Sequence, residues 1–326
     1  MMKLSRRELW VTAAGFLTTV SIPALSQSTF PSRSIRLVVP FPPGGSTDVA
    51  ARTMAERLSN EFGHPVIVEN RPGAGTTIAA AYVASSPADG HTLYITGTIS
   101  HASAAALYTN LTYDPIKSFE GVGFVTESPF ILVVNSASPH RSVQDLIQAA
   151  RTQQGAVTYS SSGNGAAPHL ITELMGRSAG VRFLHIPYKG VGPALNALLA
   201  NEVQFTVADA GAVPLIAAGR LRALSVLSAN PSPMLNNVAG LSTSGIRDVD
   251  ISSNLGILAP AGTPAAILDR LNSSINRALA QDDIKAKLSG LGQMAVPRAR
   301  ADFHNAIAND VRRYASVVKE AGIRID

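Results

Sequence analysis

Several corners of the chain put glycines and small polar residues where an apolar, β-branched run gives way to a helical pattern. The first reads PFPPGGSTD and contains Phe41, Gly44, Gly45, Ser46, Thr47 and Asp48. Its two glycines allow a tight turn that presents N–H groups at the positive end of the next helix, where an anion is favoured. Thr47 or Asp48 is the expected N-cap of a helix from about Val49, and a plain capped loop is an equal alternative. A phosphate loop is excluded, because PPGGSTD lacks the Gly-Lys-Ser/Thr ending. The second corner, YSSSGNGAAPHL, offers donors from Ser160, Ser161, Ser162 and Asn164. Gly163 and Gly165 permit close backbone approach there, ahead of a helix from about Pro168.

YITGTISH has the same shape: Thr96, Thr98 and Ser100 as donors and His101 as a source of charge, against the alternative of a solvated turn. HIPYKGVGPALNAL places Tyr188, Lys189 and Gly190 before a helix with Pro193 near its first turn. VADAG sets Asp209 at the end of a β-rich run, where open α/β sheets gather ligands; it either accepts from a ligand amine or hydroxyl or caps a helix from about Val213. Ser162, His169 and Asp209 do not follow the order of an α/β-hydrolase triad, and the chain has no Gly-x-Ser-x-Gly elbow. The seven histidines show no metal-ligand spacing, and Gly163-x-Gly165 lacks the rest of a dinucleotide fingerprint.

The elements that must position these corners alternate. SIRLVVPF precedes DVAARTMAERLSNEF, PVIVEN precedes TIAAAYVASS, and HTLYITG precedes HASAAALY, which implies βαβ units and a mainly parallel sheet. The alternation restarts after FEGVGFVTESPFILVVN, so two α/β lobes are expected, with crossings near Thr126 and Val249. A long amphipathic helix is predicted over residues 300–321. The expected division is an export signal at 1–26, a first lobe of 27–125 plus 250–326, and a second lobe of 126–249.

At 326 residues with 46% hydrophobic content, the chain can bury a sizeable core. The formal charge of +5 falls to about +3 without Lys3, Arg6, Arg7 and Glu8, and 6% aromatic content with no basic stripe argues against nucleic-acid binding. A basic start, an apolar run over 9–20 and ALS before Gln27 form the layout of an export signal; SRREL leaves secretory and twin-arginine routes equally open. The apolar run is shorter than the roughly 20 residues of a bilayer-spanning helix. The absence of cysteine excludes disulfides, thiolate sites and lipid attachment through an N-terminal cysteine.

In order along the chain, PSRSIRLVVPFPPGGSTDVAARTMAERL, VIVENRPGAGTTIAAAYVASSPADGHTLYI, YSSSGNGAAPHL, HIPYKGVGPAL and AAGRLRALSV resemble the signature stretches of the extracytoplasmic receptors of tripartite tricarboxylate transporters, the Bug family. The resemblance covers about 30–325. It implies a type II, Venus-flytrap periplasmic binding protein: a monomer without cofactor or catalytic chemistry, binding a small carboxylate in a cleft between lobes and docking on a membrane permease. The resemblance leaves open a di- or tricarboxylate, an aromatic acid or an acidic amino acid, and a sensing rather than transport role. It assigns ligand contacts to 41–48 in the first lobe and to Ser161, Ser162, Gly163, Asn164, Gly165, Ala166 and His169 in the second, partly through water. Thr96, Thr98 and His101 match the other first-lobe loop, and Tyr188, Lys189 and Asp209 match cleft-facing positions. SPMLNNVAGLSTSGI and DVDISSNLGILAP depart from the family pattern near the return crossing.

Overall fold

The computed structural model describes residues 30–153, 155–228, 235, 238–246 and 251–321. The export signal expected at 1–26 and the return crossing near Val249 lie outside the described residues.

The chain opens with β1 (Ile35–Val39), α1 (Ser46–Phe62), β2 (Val66–Asn70), α2 (Thr77–Ala84), β3 (Thr92–Gly97), α3 (Thr98–Leu107) and the long β4 (Phe119–Pro129). It continues into β5 (Ile131–Asn135), α4 (Val143–Thr152), β6 (Thr158–Ser161), α5 (Ala167–Ala179), β7 (Leu184–Pro187), α6 (Val191–Leu199), β8 (Phe205–Ala208), α7 (Val213–Ala217) and β9 (Leu221–Val226). The last segment contains β10 (Ser252–Pro260), α8 (Ala265–Leu279), α9 (Asp282–Ser289), β11 (Met294–Ala295) and α10 (Arg300–Ala321).

Two sheets result, with strand orders β11-β4-β10-β3-β1-β2 and β7-β6-β8-β5-β9. The parallel pairing predicted from the βαβ alternation is found at β1/β2, β1/β3, β6/β7 and β6/β8. Each sheet is nevertheless mixed, because β4, β5, β9, β10 and β11 pair antiparallel. In the first sheet β10 and β11 run against β1, β2, β3 and β4, and in the second β5 alone runs against β6, β7, β8 and β9, so β4 and β9 keep the direction of the βαβ series. The change of sheet falls at Phe130, a few residues beyond Thr126, because β4 stays paired with β10 as far as Pro129↔Ser252. The two antiparallel strands thus form one ribbon at the boundary.

Apolar residues of β1, α1, β3, β10 and α8 form one core; those of β5, β6, α4, α5 and β8 form another. Helix α10 serves both sides. Its Phe303 and Ile307 pack with Tyr94, Phe119 and Phe124, while Tyr314 and Val318 join the core around Leu170 and Ile171. Gly256 of β10 makes room for this helix, since a Cβ there would stand 2.4 Å from the Phe303 ring.

A polar cleft where four helices begin

Between the two sheets lies a cavity of about 170 Å³. Its walls come from the ends of parallel strands, the place where ligands gather in open α/β sheets. From the first corner it takes Phe41, Pro42, Pro43, Gly44, Gly45, Ser46 and Thr47; from the start of α3, Gly97 to Ser100. The opposite wall is Ser162, Ala167, Pro168, Asp209 and the start of α6 from Lys189 to Pro193. Thr126, Ser128 and Phe130 with Ser253, Asn254 and Leu255, from the β4/β10 ribbon and its continuation, and Gln293 before β11, complete it.

Four of the surrounding elements are helices that begin at the cavity, and none has a side-chain cap. The N-cap residues are Gly45 for α1, Gly97 for α3, Ala166 for α5 and Gly190 for α6. The lack of a cap is not confined to the cavity, since α2, α7, α8 and α9 also have none, whereas α4 has a complete capping box between Ser142 and Asp145. What sets α1, α3, α5 and α6 apart is that their starts converge on one cavity. The first N–H groups of an α-helix have no partner within the helix, so uncapped starts offer donors and partial positive charge. Lys189 is the single cationic side chain in the lining and Asp209 the single carboxylate. The arrangement accommodates a small anion held by main-chain donors rather than by arginines.

Asp48 does not line the cavity. Helix α1 starts at Ser46, ahead of the predicted Val49, so Thr47 and Asp48 fall inside its first turn and neither caps it. The buried Asp48 carboxylate instead holds the corner from behind: it accepts from Gly44 N at 2.9 Å, Asn70 Nδ2 at 2.9 Å and Arg52 Nε at 2.9 Å. Asn70 also donates to Phe41 O at 2.9 Å. Burial alone would raise the Asp48 pKa, but these hydrogen bonds and the Arg52 charge leave it below the usual carboxylate value.

Thr98 is the first residue of α3 and lines the cavity, whereas the buried Thr96, the penultimate residue of β3, lies outside the lining. His101 lies within α3, not in a loop, and it faces the core. Its Nε2 sits 2.9 Å from Pro115 O, with its ring 4.9 Å from Phe119 and 5.7 Å from Tyr94. Burial lowers its pKa to about 4, so it supplies no positive charge at neutral pH.

In the second corner Ser162 reaches the cavity while Ser161, Gly163, Asn164, Gly165, Ala166 and His169 stand outside its lining. Several of these shape the turn. Ser161 Oγ accepts from Gly163 N at 3.2 Å and lies 2.6 Å from His185 Nε2. His169 Nδ1 accepts from Gly165 N at 3.1 Å, and its ring stacks on His185 at 3.9 Å. Asn164 is exposed, with its carbonyl against Gly75. Tyr188 turns away and donates to Glu202 Oε2 at 3.1 Å.

Asp209 and Ser46 meet across the cavity, Ser46 Oγ donating to Asp209 Oδ2 at 2.6 Å. Asp209 Oδ1 accepts from Gly211 N at 3.0 Å. No hydrogen bond joins Ser162, His169 and Asp209 among the described residues, each of the latter two being engaged elsewhere. Sequence reading missed Thr126, Ser128, Ser253, Asn254 and Gln293. For Thr126 and Ser128 a signal existed: polar residues two apart follow the apolar Val122 and Phe124 at the same alternation in β4.

Two α/β lobes around such a cleft define a two-lobed periplasmic binding protein of the type II, Venus-flytrap kind. Residues 50–323 match the tripartite tricarboxylate transporter family receptor. The chain belongs to that family, whose members include the Bug proteins. Protein BugT of Bordetella pertussis is 34% identical over 313 residues, covering 95% of this chain and 96% of BugT. Among solved structures, Rpa4515 of R. palustris with adipate superposes with a TM-score of 0.86 at 34% identity, covering 91% of this chain and 100% of that one. The periplasmic binding protein BugD gives 0.84 at 30% identity, with coverage of 91% and 100%.

Proposed function

We propose that the protein is an extracytoplasmic receptor that captures a small carboxylated solute in the cleft and delivers it to the permease of a tripartite tricarboxylate-type transporter. The observation that carries this reading is the convergence of four uncapped helix starts on one cavity. The adipate in the related Rpa4515 supports it. The ligand-holding residues are Phe41, Gly44, Gly45, Ser46, Thr47 and Thr98 on one side and Ser162, Lys189 and Asp209 on the other. The moving bodies are 27–125 plus 250–326 and 126–249, turning about the β4/β10 ribbon.

Residues 1–26 direct export to the periplasm, where a monomer binds without turnover. Family membership supports that last point, as does the lack, among the described residues, of a hydrogen bond linking Ser162, His169 and Asp209. A thermal-shift panel of dicarboxylates, tricarboxylates, aromatic acids and acidic amino acids tests the reading. A ligand at about 100 times its Kd adds about 2.7 kcal/mol to stability, enough to raise Tm by several degrees. A panel in which every carboxylate leaves Tm unchanged at millimolar concentration sinks it.

A further inference from the structure

The cleft that welcomes an anion also contains two acceptors in need of a donor. Asp209 presents a carboxylate to the cavity, and no cation of the described residues is paired with it. Its two hydrogen bonds, from Ser46 Oγ and Gly211 N, leave part of its acceptor capacity free. Burial raises its pKa, the expected response of a carboxylate lacking a counter-charge, although those hydrogen bonds offset part of the shift. Gln293 is the second acceptor. Its Nε2 donates to Ser46 O at 3.4 Å, which fixes the orientation of the amide. Its Oε1, on a side chain buried in the same cavity, accepts no hydrogen bond.

Both groups flank Ser46, the first residue of α1. A half-buried carboxylate without a counter-charge and an orphaned buried carbonyl are each costly, and a ligand cation beside Ser46 would supply a charge to the one and a donor to the other. A bare diacid, by contrast, would bring its second negative charge towards Asp209.

We infer that the cognate ligand is an amino carboxylate, its carboxylate at the helix starts and its ammonium seated between Asp209 and Gln293 beside Ser46. The inference rests on the carboxylate-receptor reading and narrows it to a class of solute.

Titration calorimetry on the purified mature protein with a matched series tests this: succinate, malate and aspartate, then glutarate, 2-hydroxyglutarate and glutamate. In at least one series the amino acid binds tighter than the unsubstituted diacid by about tenfold or more, with the hydroxy acid between them. In Asp209→Asn the three members converge to within about threefold, and in Gln293→Met the gap narrows. An unsubstituted diacid that binds as tightly as its amino counterpart in both series overturns the inference and leaves the receptor reading intact. So does an amino preference that survives Asp209→Asn. If no member binds and no other carboxylate raises Tm, the receptor reading falls and this inference with it. The wild-type comparison stands alone if a variant fails to fold.

Discussion

Gly45 occupies the N-cap of α1 with extended backbone at φ −79° and ψ 168°, and a Cβ built there meets nothing within 4 Å. The position favours Asp or Ser on helix-capping grounds, so the glycine leaves local stability unused. Gly45→Asp is therefore expected to fold with Tm equal to or slightly above that of the parent, since a carboxylate at an N-cap gains a few tenths of a kcal/mol over glycine. The same carboxylate would occupy the anion position, and affinity for the cognate carboxylate should drop by about 100-fold in calorimetry. Unchanged affinity in a folded Gly45→Asp protein would remove α1 from the binding site. Asn164→Ala is the contrasting control. Its side chain is exposed and outside the cavity lining, and affinity should stay within about twofold of the parent.

At the scale of elements, the start of α6 comes close to the first corner. Gly190 caps α6 at φ +115°, a conformation that L side chains rarely adopt, and a Cβ there would lie 3.4 Å from Pro42. Gly190→Ala is expected to lower stability by about 1–2 kcal/mol. It should also weaken ligand binding, read as a higher Kd alongside a lower Tm; a variant that loses stability yet binds normally would show that this contact does not govern closure. Much at this scale was legible in the sequence. The strand-to-helix alternation, the restart after β4 and the helix over 300–321 are all found, because each rests on local periodicity. The starts of α1 and α3 were misplaced for a shared reason: an uncapped helix has no Ser, Thr or Asp at its N-cap to announce it, and Gly45 and Gly97 read as loop. Residue type makes His101 a source of charge and Asp48 a candidate cap, and the resemblance adds both to the ligand contacts, but sequence does not supply facing, and both are buried outside the cavity lining. The contribution of Ser253, Asn254 and Gln293 depends on long-range return of the chain, which no local pattern encodes.

For the molecule as a whole, the buried His101 and His169 and the half-buried His185 make acid a common threat. Burial lowers His101 and His169 to about 4, and burial with the charge of His169 lowers His185 to about 3. Each group binds its proton more weakly folded than unfolded, so stability from all three is full above the unfolded value near 6.5 and declines as pH falls towards the folded values. Thermal unfolding should therefore move down by several degrees between pH 7.5 and 4.5, and His185→Phe should flatten that slope. An identical slope in His185→Phe would mean that the stack against His169 does not report on pH. A different consequence follows from how the cleft is made. In the proposed receptor the anion is held by peptide N–H groups at four helix starts, which every residue except proline carries. Substitutions among the lining side chains can therefore reshape the rest of the pocket without dismantling the feature that recognises a carboxylate. Such a receptor is evolvable, free to exchange one acid for another while the architecture stays put.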